Sequence, residues 1–450
     1  MKRLALLALA ITASGVVSLA KPAPPVSGCC LPTAPNTYEC PEDRGLYLKA
    51  MDIAAFNMLF PGDEYFGLPR LETGLRASRS STEPVIPPIL LRSIGWIESV
   101  ITQATRAIPY GAIGPALISF DCGHGIMQVT SGMTTPLGEG DYEGYASPEQ
   151  LLVATNYVYN IARGAVILAD KWNAAPENRP IAGTDTNSDP ALVENWYFAV
   201  WSYNGFTGPG AKRSNHPMDP IYGGWPRVPY SCGPANDGFG HNRGNYPYQE
   251  LVWGCAAHPP VVNGSPLWSP LELAYPDLND PRFRGPLNLA NFVYPYSAMD
   301  IPTPYYAHRD PTAKPSASQR AQIVGSPQLG LSKTDVRVLV GKERKTIASQ
   351  EVIISNQGSG ILSWMAIPSA SWLQVSPMAG VAVGPELPCS PGAPCEREAK
   401  LTLTINLAAL PKGTQTAKVR ISSPASNETQ TISVTVASLL RLGAPGLAKN

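Results

Sequence analysis

The sequence predicts a mainly α part of the α+β type, laced with long loops, followed by an all-β sandwich. Three observations carry this. Apolar residues recur at helical spacing between Glu42 and Asn204, the period drops to two beyond a Pro- and Ser-rich stretch near 309–328, and 450 residues exceed what one core usually organises. The 40 glycines and 47 prolines follow no triplet period, which implies long irregular connections. The reading therefore divides the chain into a leader at 1–20, a first domain at 21–308 (core 84–210, loop-rich wrap 211–308), a linker at 309–328, a sandwich at 329–440 and a tail at 441–450.

Formal net charge is zero with only 15% charged residues, so neither a nucleic-acid surface nor an acidic tail is expected. Lys2-Arg3, the apolar run Leu4 to Val17 and the small residues of Ser18-Leu19-Ala20 have the order of an export signal, and the mature chain is expected to start near Lys21. Val26-Ser27-Gly28-Cys29 also resembles a lipoprotein cleavage box. Lys21-Pro22-Ala23-Pro24-Pro25 separates it from the apolar run, which makes lipidation at Cys29 the lesser expectation. No later stretch is long and apolar enough to span a bilayer.

Export places eight cysteines in an oxidising compartment, and the even count implies that all of them pair. Cys389 and Cys395 are near enough in sequence to form a local clamp; Cys29, Cys30, Cys40, Cys122, Cys232 and Cys255 are left to pair among themselves. With no C-x-x-C or H-x-x-x-H spacing and five scattered histidines, neither a metal nor a cofactor is expected.

Along the first domain, Glu42 to Phe60 reads as a helix through Leu46, Leu48, Met51, Ile53, Phe56 and Leu59, closed by Pro61-Gly62. Pro87-Pro88 suit a first turn, and Leu90, Ile94, Ile97 and Ile101 then form one apolar stripe. Ser147-Pro148-Glu149-Gln150 reads as a capping box opening a long buried helix through Leu151, Ala154, Val158, Ile161, Ala165, Leu168 and Trp172. Gly164 within it implies close approach of another element, and Asn160 a satisfied structural amide. A third helix covers Trp196 to Asn204 and ends at Gly205. Pro209 to Asp310 is expected to wrap this domain. Its aromatics Tyr222, Trp225 and Tyr230, like Trp201, are not assigned to a site.

Glu98 stands beside Ile97, four residues after Ile94 and three before Ile101, so its carboxyl borders the buried stripe. Partial desolvation there raises the pKa of a carboxyl, the state a general acid needs.

Glu98-Ser99 followed by Gly125-Ile126-Met127-Gln128, Asn160-Ile161-Ala162-Arg163-Gly164 and Tyr203-Asn204-Gly205 resembles the lysozyme-like superfamily of lytic transglycosylases and goose-type lysozymes, over Pro84 to Gly210. The resemblance implies cleavage of a peptidoglycan-type or related N-acetylated glycan with Glu98 as general acid. Ser99, Gln128, Tyr203 and Asn204 would surround the sugar. A lytic transglycosylase works with one carboxylate and leaves a 1,6-anhydro sugar; a goose-type enzyme adds an aspartate that activates water. Asp121 is the candidate for that second role, although its gap to Gln128 is shorter than in those enzymes and Thr130 stands where a further acid would follow. For inversion the two carboxyls should lie roughly 6.5–9.5 Å apart. Asp121 otherwise holds the Gly123-His124-Gly125 turn. His124 is expected to be a local hydrogen-bonding residue and Cys122 a disulfide anchor. The stretch Ala104 to Phe120 is longer than the family's bridge and is expected at the rim of the cleft.

Past the linker, Val336-Val338-Val340, Leu401-Leu403-Ile405, Val419-Ile421 and Ile432-Val434-Val436 alternate with polar residues between turn signals, as in an antiparallel sandwich. Ser371-Trp372-Leu373-Gln374-Val375-Ser376-Pro377, with Ala408 to Thr414, resembles the immunoglobulin-like BACON modules. That resemblance implies a glycan-binding role; a spacer or adhesive module is the plainer reading. A protein of a different class, an inactive glycan-binding or envelope scaffold, is the competing reading of the whole chain.

Overall fold

The computed structural model describes residues 31, 34–75, 78–134, 145–178, 181–182, 188–205, 214–233, 242–278, 300–301, 307–340, 347–392 and 396–438. The expected leader, Cys29, Cys30, Cys395 and the tail 441–450 lie outside the described residues.

The first helix, α1 (Gly45–Ala55), is shorter than the apolar pattern suggests, because Arg44 and Asn57 flank it in the left-handed region. Helix α2 (Pro88–Ser99) starts at the paired prolines, and Asp310 Oδ2 accepts from the free Ile89 amide at 2.6 Å. Helix α3 (Pro148–Thr155) carries the expected capping box, with Gln150 N donating to Ser147 Oγ and Ser147 N to Gln150 Oε1.

The expected single helix through Trp172 is in fact two. Asn156 is extended (φ −128°, ψ 114°), and α4 (Tyr157–Asn178) leaves α3 at a bend of 107°. The Asn156 carboxamide oxygen accepts from Val158 N at 3.1 Å, so a side chain starts the second helix where apolar spacing shows no interruption. Helices α5 (Tyr197–Tyr203) and α6 (Tyr248–Ala257) pack on each other and, respectively, on α4 and α2. Part of the stretch expected as linker is a docked helix, α7 (Ala317–Val324): Ile323 is buried, and Arg320 donates to the Met58 and Leu59 carbonyls at 2.7 and 2.9 Å. None of the described helices is by itself long and apolar enough to cross a membrane.

Short strands trim this part: β1 (Asn36–Tyr38) pairs with β4 (Ile113–Pro115), and β2 (Leu71–Leu75) with β3 (Ser78–Thr82). The pairs β5 (Ile181–Ala182) with β8 (Asp300–Ile301), and β6 (Val261–Val262) with β7 (Ser265–Pro266), are two residues long.

The C-terminal part is a sandwich. One sheet runs β10-β17-β16-β12-β14, from Asp335–Val340, Glu428–Ser438, Gln415–Ser423, Ile361–Pro368 and Ala379–Val383. The other runs β13-β15-β11-β9, from Leu373–Ser376, Ala399–Asn406, Ile347–Asn356 and Leu329–Leu331. The antiparallel expectation holds for every pair but β10 and β17, which run parallel, Val336 opposite Val434. Alternating residues of both sheets share one core, including Trp364, Val419, Val434, Leu403 and Ile354.

The helical and β parts are not separate bodies joined by a string. Ile361, Val381 and Val383, on the outer face of the five-stranded sheet, belong to the same apolar cluster as α1 to α6. Every residue of β12 is buried as a result. Thr155 Oγ1 meets Ser363 Oγ at 2.8 Å across this contact.

Cys232 and Cys255 form a disulfide, and Cys122 and Cys389 are also disulfide-bonded. The expectation that every cysteine pairs fails at Cys40, a free thiol buried beside β1.

Candidate active site

Glu98 is carried one residue from the end of α2. The chain leaves that helix through Val100 (φ 63°) and Ile101 (φ 51°), two β-branched residues in the left-handed region, each at a cost of about 1–2 kcal/mol. Buried Ile101 and the Arg44 guanidinium, which donates to the Val100 carbonyl at 3.1 Å, hold this turn.

Ser99 faces the same turn. Its hydroxyl lies 2.9 Å from the Ile126 carbonyl and 3.1 Å from that of Gly95, and accepts from Thr102 N. It is buried, so it fastens the loop Gly125 to Gln128 against α2 and presents nothing to a ligand. Gly95 allows the contact: a Cβ there would meet Ile126 at 3.3 Å and Met51 at 2.6 Å.

The loop is clamped from its other sides too. Asn160 accepts from Met127 N at 2.9 Å and donates to the His124 carbonyl at 2.7 Å, as a structural amide should. Gly164 lets α4 approach until a Cβ would stand 2.5 Å from the Met127 side chain. Gln128 is half-buried with positive φ (45°), and its amide turns back to the Gly125 carbonyl. Tyr203 completes the clamp by donating to the Met127 carbonyl at 2.8 Å. Ser99, Asn160 and Tyr203 thus grip one short backbone stretch beside Glu98.

Glu98 itself is half-buried, and its Oε1 accepts a 2.5 Å hydrogen bond from the Tyr248 hydroxyl at the start of α6. Burial pushes its pKa up to about 7, against the Tyr248 hydrogen bond and the Arg243 charge, which favour the carboxylate. Arg243 also donates to the Ile97 carbonyl at 2.7 Å, one residue from Glu98. Near neutrality, then, this carboxyl exists in both protonation states and can give or take a proton.

Asp121 is exposed at the tip of a tight turn in which Cys122 N donates to the Ser119 carbonyl at 3.1 Å. Ser119 Oγ donates to its carboxylate at 2.5 Å. It is close enough that its charge adds a small upward push on Glu98. Asn204 is exposed at the end of α5 and accepts from Asn215 at 3.0 Å. His124 is buried, with Nδ1 2.6 Å from the Cys122 carbonyl, and burial lowers its pKa. Among the described residues no group of His, Cys, Asp and Glu could hold a metal ion.

Tyr248 and Arg243 belong to the wrap and were not among the residues expected at the site. The signal lay in Pro247-Tyr248 opening an apolar helical spacing at Leu251, Val252 and Cys255, inside the stretch expected only as a wrap.

No family model and no curated protein matches the chain. Among solved structures it is similar to the YadV chaperone (16% identity, TM-score 0.18), over 27% of this chain and 54% of that one. A family 123 glycoside hydrolase from Clostridium perfringens matches at 9% identity and TM-score 0.18, over 24% of this chain and 23% of the hydrolase. The CupB2 chaperone of Pseudomonas aeruginosa matches at 12% identity and TM-score 0.17, over 24% of this chain and 55% of that one. The chain thus spans about half the length of the two chaperones and about a quarter of the hydrolase. Likenesses this slight carry no argument about what the chain does.

Proposed function

We propose that the chain is an exported enzyme that cleaves the β-1,4 bond between N-acetylmuramic acid and N-acetylglucosamine in peptidoglycan, with Glu98 as acid and then base. The observation that carries this is the Glu98 carboxyl, pushed up to about 7 by burial and held by Tyr248 beside a loop clamped on three sides. In the first step protonated Glu98 gives its proton to the glycosidic oxygen as that bond breaks. In the second the resulting carboxylate takes the proton of the muramyl 6-hydroxyl as its oxygen closes on C1, leaving a 1,6-anhydro end. Tyr248 stabilises the carboxylate between the steps, and Arg243 adds charge of the right sign.

This lytic transglycosylase reading takes precedence over an inverting muramidase because the candidate second carboxylate is exposed and tied to Ser119. Its charge is nevertheless felt at Glu98, which keeps water activation by Asp121 as the second reading. The lysozyme-like kinship of the helical part, the immunoglobulin-like character of the sandwich and its role as a glycan-binding or spacer module belong to the same proposal.

Incubation with purified peptidoglycan and mass analysis of the products tests it. Anhydro ends are expected; reducing ends would transfer the assignment to Asp121-assisted hydrolysis. Glu98→Gln should lower release by about 10²–10⁴-fold. Unchanged release by that variant, or none by the unaltered chain, would leave the scaffold reading in possession.

A further inference from the structure

Where the helices meet the sandwich there is a cavity of about 340 Å³. One wall is aromatic: the Phe60 and Tyr159 rings are stacked with centroids 4.3 Å apart, and Phe66 meets Tyr159 edge-on at 4.9 Å. The other walls carry three carboxylates, from Asp63, Glu149 at the start of α3 and Glu428 at the start of β17, and among the described residues no Lys, Arg or His lines the space.

Each carboxylate has one oxygen engaged by a neutral donor. Asp63 accepts from Tyr65 N and Phe66 N at 2.8 Å, Glu149 from Ser147 Oγ at 2.7 Å and Glu428 from Leu329 N at 2.6 Å. Ser422 and Ser423 also line the cavity; they are 3% and 1% exposed, and their hydroxyls have no hydrogen-bond partner among the described residues. The negative field reaches Tyr159, whose hydroxyl is raised to about 12 by burial and by Asp63, against a smaller pull from Arg320.

Stacked rings attract a cation through their faces, and carboxylates accept its N–H groups in short charge-assisted bonds. No group of described residues is arranged to share a metal ion, so the occupant that fits is an extended organic cation. We propose that this junction cavity binds a primary ammonium or guanidinium on an aliphatic stem. The head sits among Asp63, Glu149 and Glu428, and the stem lies along Phe60 and Tyr159. The proposal is independent of Glu98.

Calorimetric titration of the full chain with L-lysine amide, and separately with L-norleucine amide, tests it. Saturable binding of the lysine compound is expected, at least about tenfold tighter than its uncharged-stem counterpart and weakening as salt rises. The double variant Glu149→Gln, Glu428→Gln keeps oxygens for Ser147 and Leu329 N while removing two charges, and it should lose about tenfold in affinity for lysine amide at an unchanged melting temperature. Equal binding of the two amides, no binding by the unaltered chain, or full affinity in a folded double variant would overturn the proposal. If the double variant does not fold, the comparison of the two amides on the unaltered chain decides.

Discussion

Burial and a single phenol act in opposite directions on the proton affinity of Glu98. Removing the phenol therefore has a definite sign. In Tyr248→Phe the charged form loses its hydrogen bond, so Glu98 stays protonated to higher pH and, for the proposed reaction, the alkaline limb of the rate profile on peptidoglycan is expected to move upward. A limb that stays in place would mean that Tyr248 does not act through this carboxyl. At this scale the sequence was readable where contacts are local: the stripe of Leu90, Ile94, Ile97 and Ile101 places Glu98 at the edge of a buried face. Tyr248 was not readable, because it comes 150 residues later and no local pattern records which buried group its hydroxyl meets.

Helix α4 bears directly on the loop Gly125 to Gln128. Gly164→Ala should gain roughly 1 kcal/mol of helix propensity. The new methyl would stand 2.5 Å from the Met127 Cβ and Cγ, and overpacking of this kind costs about 1–3 kcal/mol. The clash wins, so the variant is expected to unfold at lower denaturant than the unaltered chain; a stabilised variant would show that Met127 can move aside. Element boundaries were legible where a side chain marks them, as at Ser147. They were illegible at Asn156, because the apolar stripe runs straight through the bend and only the carboxamide, turned onto Val158 N, separates the two helices. β12 escaped the period-two reading for a different reason. Both its faces are covered, one by the opposite sheet and the other by the helical part, so its residues need not alternate.

Three carboxylates whose proton affinity is raised shape the response of the whole molecule to pH. Burial raises Glu39 and Glu98 from the usual 4.5 to about 7, and Glu250 to about 8 against the opposing charge of Arg227. A folded state that holds protons more tightly than the unfolded chain is favoured below the unfolded pKa, and that stability is lost as pH rises through the folded one. Burial lowers His124 and His216, which act oppositely, but their contribution is complete above 6.5. Between pH 6.5 and about 8 only the carboxylate effect remains among these groups, so the melting temperature should fall across that window. A flat or rising profile in scanning fluorimetry would contradict this. The sequence reading of two architectures in succession agrees with the helical and β-rich parts. Their shared cluster was hidden, because Ile361, Val381 and Val383 look like any strand residues until the helices that cover them are in place. The free thiol of Cys40 also bears on the whole chain: seven cysteines remain beside it, an odd number, so they cannot all pair within one chain.

The hydrogen bond from Tyr248 to Glu98 also orders events in time. Under the proposed export, a chain made from its N-terminus and threaded out of the cell delivers Glu98, the Gly125 to Gln128 loop and Tyr203 well before Tyr248 emerges. Until the wrap arrives, the carboxyl lacks the hydroxyl that steadies its charged form. Completion of the proposed acid and its phenol partner is thereby tied to delivery of the greater part of the polypeptide, and a chain stalled in transit carries Glu98 without Tyr248.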